Sequence, residues 1–390
     1  VTGANSSEPA RHRPASQGVT VLLPVVGLLV AAVCGLLLFG LGTARVGATA
    51  VGIGVVAATV PVAVVVATFL WIDRWEPEPA PLLLLTFVWG ACVATLTALL
   101  INDTAAAVGD LLLGIGRGDK VSAIVSAPFA EEAVKAVPLL LLLWHRSREF
   151  DGVVDGIVYA GFSAAGFAFT ENIYYFGRAF AEHGFGDATS PGVLAAFILR
   201  GVLSPFTHPL FSVLIGIGVG VAAMSRGRTR KVLAPLGGYV LAVGLHSLWN
   251  ASATLGGGSA FINVYFLVMV PVFLGVAMLV LWQRRREERI IAAALPKMAS
   301  ARWIAQSEVE LLASLAGRRR WRRQARRESG RRAARAVAEY QARVTELAFL
   351  RRLPAGGSER RARRDELLSR LRAARAEAVR LASEGGTRDG

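Results

Sequence analysis

The chain has 390 residues, 54% of them hydrophobic, and a mean hydropathy of +0.48. That is more apolar than a water-soluble globular domain, and the apolar residues lie in runs long enough to span a bilayer. The net charge of +15 is confined to one end: from Gln283 onward there are 28 Arg and Lys against 13 Asp and Glu, which leaves 15 of each before it. The two cysteines, Cys34 and Cys92, sit inside apolar runs and make no disulfide or metal framework.

Residues 1–20 are polar, with Arg11, Arg13 and two prolines, and read as a disordered lead. Eight spanning helices are then expected at roughly 21–42, 50–72, 81–102, 121–144, 153–176, 204–224, 232–254 and 261–282. The first is read as a retained helix, not a signal peptide, because of its length and the runs that follow. The apolar stretch 192–203 is too short to span alone and reads as an interfacial lead-in. The expected fold is all-α: a polytopic bundle over 21–282, followed by an Arg-rich helical tail over 283–390. In the tail, Arg331–Leu350 and Glu359–Leu381 read as charged helices separated at Pro354.

Orientation follows the positive-inside rule. One side holds Arg11, Arg13, Arg74, Arg146, Arg148, Arg226, Arg228, Arg230, Lys231 and the tail, while the other holds Arg45, Arg117, Lys120 and Arg178. Both termini are therefore expected in the cytoplasm, in a multi-pass protein of the cell membrane. The tail is expected near anionic lipid, where each exposed basic residue contributes up to about 1 kcal/mol. With little aromatic interleaving and no nucleic-acid-binding signature, no specific nucleic-acid partner is expected.

Ionisable side chains inside spans cost roughly 2.5–3.5 kcal/mol each at the helix centre and point to function. Glu131, Glu132 and Lys135 lie on the fourth expected helix. Glu131 and Lys135 share a face, whereas Glu132 projects about 100° away. The expectation is that Lys135 neutralises one carboxylate while the other faces a cavity. Glu171 on the fifth helix has only Arg178 nearby in sequence and needs a partner from another helix. His208 opens the sixth helix, and His246 and Asn250 lie one turn apart on the seventh. In the expected topology Glu131, Glu132, Glu171, His208 and His246 all fall in the outer half of the bilayer, which makes one site of them. Two His and a Glu suit Zn²⁺ with an open position for water, and the remaining Glu suits a general base. A metal-free alternative has a His-polarised Glu activating water and an Asn amide stabilising an oxyanion. The soluble zinc-protease motif H-E-x-x-H is absent. A proton- or cation-coupled transporter, or an inactive membrane scaffold, are the competing readings, although no inverted repeat is visible.

The motifs resemble those of the PrsW family of intramembrane proteases. Glu131-Glu132-Ala-Val-Lys135 is similar to its E-E-x-x-K, Phe167-Ala-Phe-Thr-Glu171 to its F-x-x-x-E, and His246-Ser-Leu-Trp-Asn250 to its H-x-x-x-D, with Asn250 where Asp is typical. The loop Asp73-Arg-Trp-Glu-Pro-Glu-Pro is also similar to a segment of that family. The resemblance covers about 20–282. It implies cleavage of a membrane-anchored protein, such as an anti-sigma factor, near the extracytoplasmic face. It implies that Glu131 or Glu132 activates water, with Glu171, His208 and His246 as partners or metal ligands. By the same analogy, Asn250 fits an oxyanion donor.

Overall fold

The computed structural model describes residues 17–145, 150, 152–187, 190–350 and 357–386. It is helical, with no strand among the described residues. In chain order the helices are α1 (Gln17–Val46), α2 (Ala48–Ile72), α3 (Ala80–Leu113), α4 (118–145), α5 (Val153–His183), α6 (193–203), α7 (Thr207–Met224), α8 (Arg228–Thr254), α9 (Gly257–Ser300), α10 (Leu315–Phe349) and α11 (Gly357–Gly386). Helix begins at Gln17, four residues before the expected start. Most of the expected N-terminal lead and the break at Pro354 lie outside the described residues.

Among the described residues, seven segments are long and apolar enough to cross a membrane: α1 from Val25, α2, α3, α5, α6 with α7, α8 and α9. This is a polytopic membrane bundle. The helix expected as the fourth span, α4, is not one of the seven. It forms, but it carries Glu131, Glu132 and Lys135, and it lies against α3, α5, α7 and α8. The outer helices turn apolar side chains such as Leu36, Val56, Leu241 and Leu267 away from the protein, as lipid-facing surfaces do.

α5 is the central helix, and nearly all of its first half is buried. Small residues bring its neighbours close. A Cβ on Gly156 would lie 2.0 Å from the Gly216 carbonyl oxygen of α7. One on Gly90 of α3 would lie 1.9 Å from that of Ser163. Backbones approach this closely only where side chains are absent. The Gly156 crossing holds together the two helices that carry Glu171 and His208.

Of the stretch 192–203, residues 193–203 are helical and join α7 across a break at residues 204–206, so the sixth span starts earlier than expected. α9 also runs past the expected domain border at 282 without interruption, to Ser300. The tail then folds on itself. At Gly330 the backbone leaves the helical region (φ 82°), a left-handed turn that glycine adopts without strain. The two halves of α10 pack back to back: Trp321 meets Tyr340 edge-on, and Arg318 reaches Gln341 and Thr345. α11 lies along them, with Leu367 and Leu371 in the same core as Ile291 and Leu295 of α9.

That core also contains Trp75, from the loop between α2 and α3, which is 4% exposed. The guanidinium of Arg318 lies 5.2 Å from the centre of the Trp75 ring, donates to Leu312 O at 2.9 Å and to Thr345 Oγ1 at 2.6 Å, and is itself buried. Burial pushes Arg318 down to about 10. The same loop is acidic and buried on its other side. Asp73 accepts from the Glu78 amide at 2.9 Å, and Tyr159 of α5 donates to Glu78 at 2.7 Å. Burial, with Asp155 and Glu287 adding to it, pushes Asp73 up to about 8. Burial and Asp155 push Glu78 up to about 10, against the Tyr159 hydrogen bond.

Candidate active site

Two prolines shape the helix that carries the glutamate pair. Proline has no amide hydrogen, so it leaves a carbonyl one turn back without a partner. In α4 a π turn over Ser122–Ser126 sends the Ala127 amide to Ser122 O, and Pro128 offers nothing to Ala123 O. The amide of Asn250 fills that gap, donating to Ala123 O at 2.8 Å. Further along, Pro138 offers nothing to Val134 O, and the indole of Trp89 donates there at 2.9 Å. These ties from α8 and α3 fix the turns on either side of Glu131, Glu132 and Lys135. Asn250 is committed to this backbone tie, and the structure does not bring its amide to the carboxylates.

The other four expected catalytic residues meet His208 at one centre. Lys135 Nζ lies 3.3 Å from Glu131 Oε2, 2.9 Å from Glu132 Oε1 and 3.1 Å from His208 Nδ1. His246 Nδ1 lies 3.1 Å from Glu132 Oε1, and its Nε2 lies 3.9 Å from Glu131 Oε2. His208 Nε2 lies 2.6 Å from Glu171 Oε2. The rings pack as well: His208 and His246 are edge-to-face at 5.4 Å, and His246 stacks on Phe211 at 4.7 Å.

Two expectations need correcting. Lys135 pairs with both glutamates, and Glu132 is the one sealed in, with no exposure. Its face of α4 abuts α7 and α8, where Ser212 Oγ donates to Glu132 Oε2 at 2.7 Å and His246 approaches its other oxygen. Glu131 lies on the open side, beside Asn102 Nδ2 at 3.5 Å. It lines a cavity of about 580 Å³ with Glu171, Asn102, Phe167, Tyr174 and Tyr175.

The second correction concerns the donor set. Among the described residues, Glu131, His208 and His246 have ligand atoms within 4.8 Å of one another, so this cluster contains Glu131 and not Glu171, the expected carboxylate ligand. Glu171 is held instead by His208 and by Arg200 of α6. Arg178, the nearest cation in sequence, pairs with Glu182 at 2.7 Å. Arg200, Ser212 and Asn102 were missed in the sequence. Arg200 carried a readable signal, being a lone cation inside an apolar stretch.

The donor chemistry fits a zinc-type ion. An ammonium only donates, so His208 accepts from Lys135 at Nδ1 and donates from Nε2 to Glu171. His246 donates from Nδ1 to Glu132, which leaves Nε2 toward Glu131. Each imidazole thus has a carboxylate on its outer nitrogen and a lone pair turned inward, the usual support for a metal-binding histidine. Two imidazoles and one carboxylate are a zinc donor set.

Seven apolar spans and a centre of three glutamates, two histidines and a lysine suit a membrane-embedded hydrolase. Residues 78–276 match the family described as PrsW family intramembrane metalloprotease, and the chain belongs to that family. It is 30% identical over 178 residues to Protease PrsW of Geobacillus kaustophilus, covering 46% of this chain and 69% of that one. It is 30% identical over 173 residues to Protease PrsW of Oceanobacillus iheyensis, covering 44% and 70%. Against Protease PrsW of Bacillus subtilis the match is 30% identical over 116 residues, covering 30% and 47%. No solved structure matches the chain. The protein is accordingly an intramembrane protease, and the seven spans make it a multi-pass membrane protein.

Proposed function

We propose that this protease hydrolyses a peptide bond of a membrane-anchored protein, of the anti-sigma-factor class, near the extracytoplasmic face. The observation that carries the reading is the pair of carboxylate–imidazole dyads, Glu171–His208 and Glu132–His246, flanking a glutamate that opens on the cavity. Glu131, His208 and His246 would hold a zinc-type ion, through the carboxylate, Nδ1 and Nε2. Such an ion supplies Lewis acidity toward the scissile carbonyl and the attacking water.

As a ligand Glu131 would leave its second oxygen, Oε1 beside Asn102, to take the proton of that water. Of the three glutamates it is the one that both belongs to the donor group and lines the cavity. Glu132 and Glu171 keep the two rings in their tautomers. The apolar and aromatic wall of Phe167, Tyr174 and Tyr175 receives an extended segment of substrate and excludes bulk water.

The termini lie in the cytoplasm of a cell-membrane protein in this reading. Support comes from the far end of the bundle, where Trp71 and Trp282 are exposed in the manner of interfacial aromatics and Arg284 lies 3.8 Å over the Trp71 ring. Exposed Arg319, Arg320, Arg323, Arg326 and Arg327 on α10 suit an anionic lipid surface.

The test is cleavage of a single-span reporter in proteoliposomes by wild type, Glu131→Gln, His208→Ala and His246→Ala, with zinc content measured on each purified protein. Glu131→Gln is expected to lose roughly 10²–10⁴-fold in rate, the range for a positioned acid–base group. Undiminished cleavage by all three variants would sink the reading. Full activity after complete zinc removal would leave the protease and discard the metal.

A further inference from the structure

Arg200 lies on α6, a short helix that does not itself span, 29 residues from Glu171 in sequence. Its guanidinium makes three contacts with one turn of α5. One Nη donates to Glu171 Oε2, Nε donates to Asn172 Oδ1 at 2.8 Å, and the guanidinium carbon lies 3.8 Å from the centre of the Tyr175 ring. Glu171 and Asn172 project in different directions from α5, so a single planar fork spans both. A lysine ammonium has no such fork.

The oxygen that Arg200 grips is also the one that accepts from His208 Nε2. Glu171 therefore cannot turn about its side chain without breaking both contacts. The ring of His208 has its other nitrogen, Nδ1, turned to Lys135 and the donor group. A relay of fixed geometry thus runs from α6 through Glu171 to His208.

We propose that Arg200 is a positioning residue of the active centre: it holds Glu171 in the one orientation that keeps His208 Nδ1 facing Glu131 and His246. The proposal rests on the protease reading and adds to it a residue from outside its motifs. The bland competitor is that Arg200 only neutralises a buried carboxylate. Under that reading any cation that restores the charge is sufficient, and the reaction centre is indifferent to geometry.

Full-length protein in proteoliposomes decides between them. Wild type, Arg200→Ala, Arg200→Lys, Glu171→Gln and the Arg200→Ala/Glu171→Gln double variant are compared for kcat and KM on the single-span reporter. Zinc affinity is measured separately, by competition with a chromophoric chelator. Arg200→Ala is expected to lower kcat, and zinc affinity with it, by roughly 10–100-fold, the usual range for outer partners of a metal-binding histidine. KM should move by less than about threefold, because Arg200 does not touch the substrate in this scheme. Arg200→Lys should recover less than a tenth of the lost kcat. Guanidinium ion added to Arg200→Ala should restore activity, and should not do so for Glu171→Gln. The double variant should be no worse than Glu171→Gln alone.

Wild-type kcat and zinc affinity in Arg200→Ala overturn the proposal. Full recovery by Arg200→Lys, or losses that multiply in the double variant, also overturn it. If Arg200→Ala does not fold, Arg200→Lys keeps the charge and decides on kcat and zinc affinity alone. A wild-type protein that neither cleaves nor binds zinc would fail the protease reading instead, and is told apart by that.

Discussion

Glu132 Oε1 lies 3.1 Å from His246 Nδ1, its other oxygen is held by Ser212 at 2.7 Å, and the residue has no exposure to water. In the proposed mechanism it orients the ring and does not activate water. Glu132→Gln presents an amide where His246 needs an acceptor, and kcat should fall roughly 10–100-fold. Ser212→Ala removes one tether and should cost less than about tenfold. Steady-state cleavage of the reporter measures both. A larger loss in Ser212→Ala than in Glu132→Gln would show that Ser212 matters for some reason other than holding Glu132.

Lys135 is buried between two carboxylates, and a buried pair broken on one side leaves uncompensated charge. Lys135→Met should lower stability by about 3–5 kcal/mol. The check is the thermal unfolding midpoint in detergent, compared with Lys120→Met, an exposed lysine on the same helix. A midpoint matching that control would mean that the two glutamates find another way to stay buried.

The loop 73–79 should loosen as pH rises. Asp73 and Glu78 titrate at about 8 and about 10 in the fold, against ordinary values of 3.8 and 4.5. The folded state therefore holds more protons than the unfolded one between about pH 4 and about pH 10, and the slope of stability with pH is negative there. Their contribution is complete below the ordinary values and is lost as pH climbs through 8 and then 10. Hydrogen exchange over residues 73–79, corrected for intrinsic rate, should show protection falling between pH 6 and 9. Asp73→Asn should flatten the first part of that fall.

Trp75→Ala should detach the tail from the loop. A buried tryptophan truncated to alanine costs about 3–5 kcal/mol, and here the loss falls on the core shared by the loop, α9 and α10. Limited proteolysis should cut the tail faster than in wild type, while the seven spans stay intact. Arg318→Ala should show the same cleavage pattern to a lesser degree. An unchanged pattern in Trp75→Ala would mean that the tail core holds without the loop.

The spans were legible because apolar runs of this length have few other uses: α2 and α8 fall within four residues of their expected bounds, and α5 starts where expected and runs seven residues further. The site was legible for the opposite reason: charges on α4 and α5 are costly, so their presence marked them. What sequence reading missed was pairing. Arg178 was the cation nearest Glu171, but its chain position favours Glu182 one turn on, and the real partner comes from α6. The sequence also left open which of the two glutamates faces the cavity. Which face of α4 meets α7 is set by tertiary packing, and spacing along one helix does not report it. Asn250 matched a motif position, yet it serves a carbonyl orphaned by Pro128. That role is visible only once the π turn is known.

α9 crosses the membrane and continues to Ser300 as one rod, and the 18 residues beyond Trp282 make an arm of roughly 27 Å at 1.5 Å per residue. Trp75 wedges that arm against the loop joining α2 and α3. The tail is therefore not hung on a swivel. Whatever pulls on it applies torque to the last span and leans on the loop at once, and through the Glu78–Tyr159 hydrogen bond that loop is fastened to α5, the helix that ends in the catalytic half of the bundle.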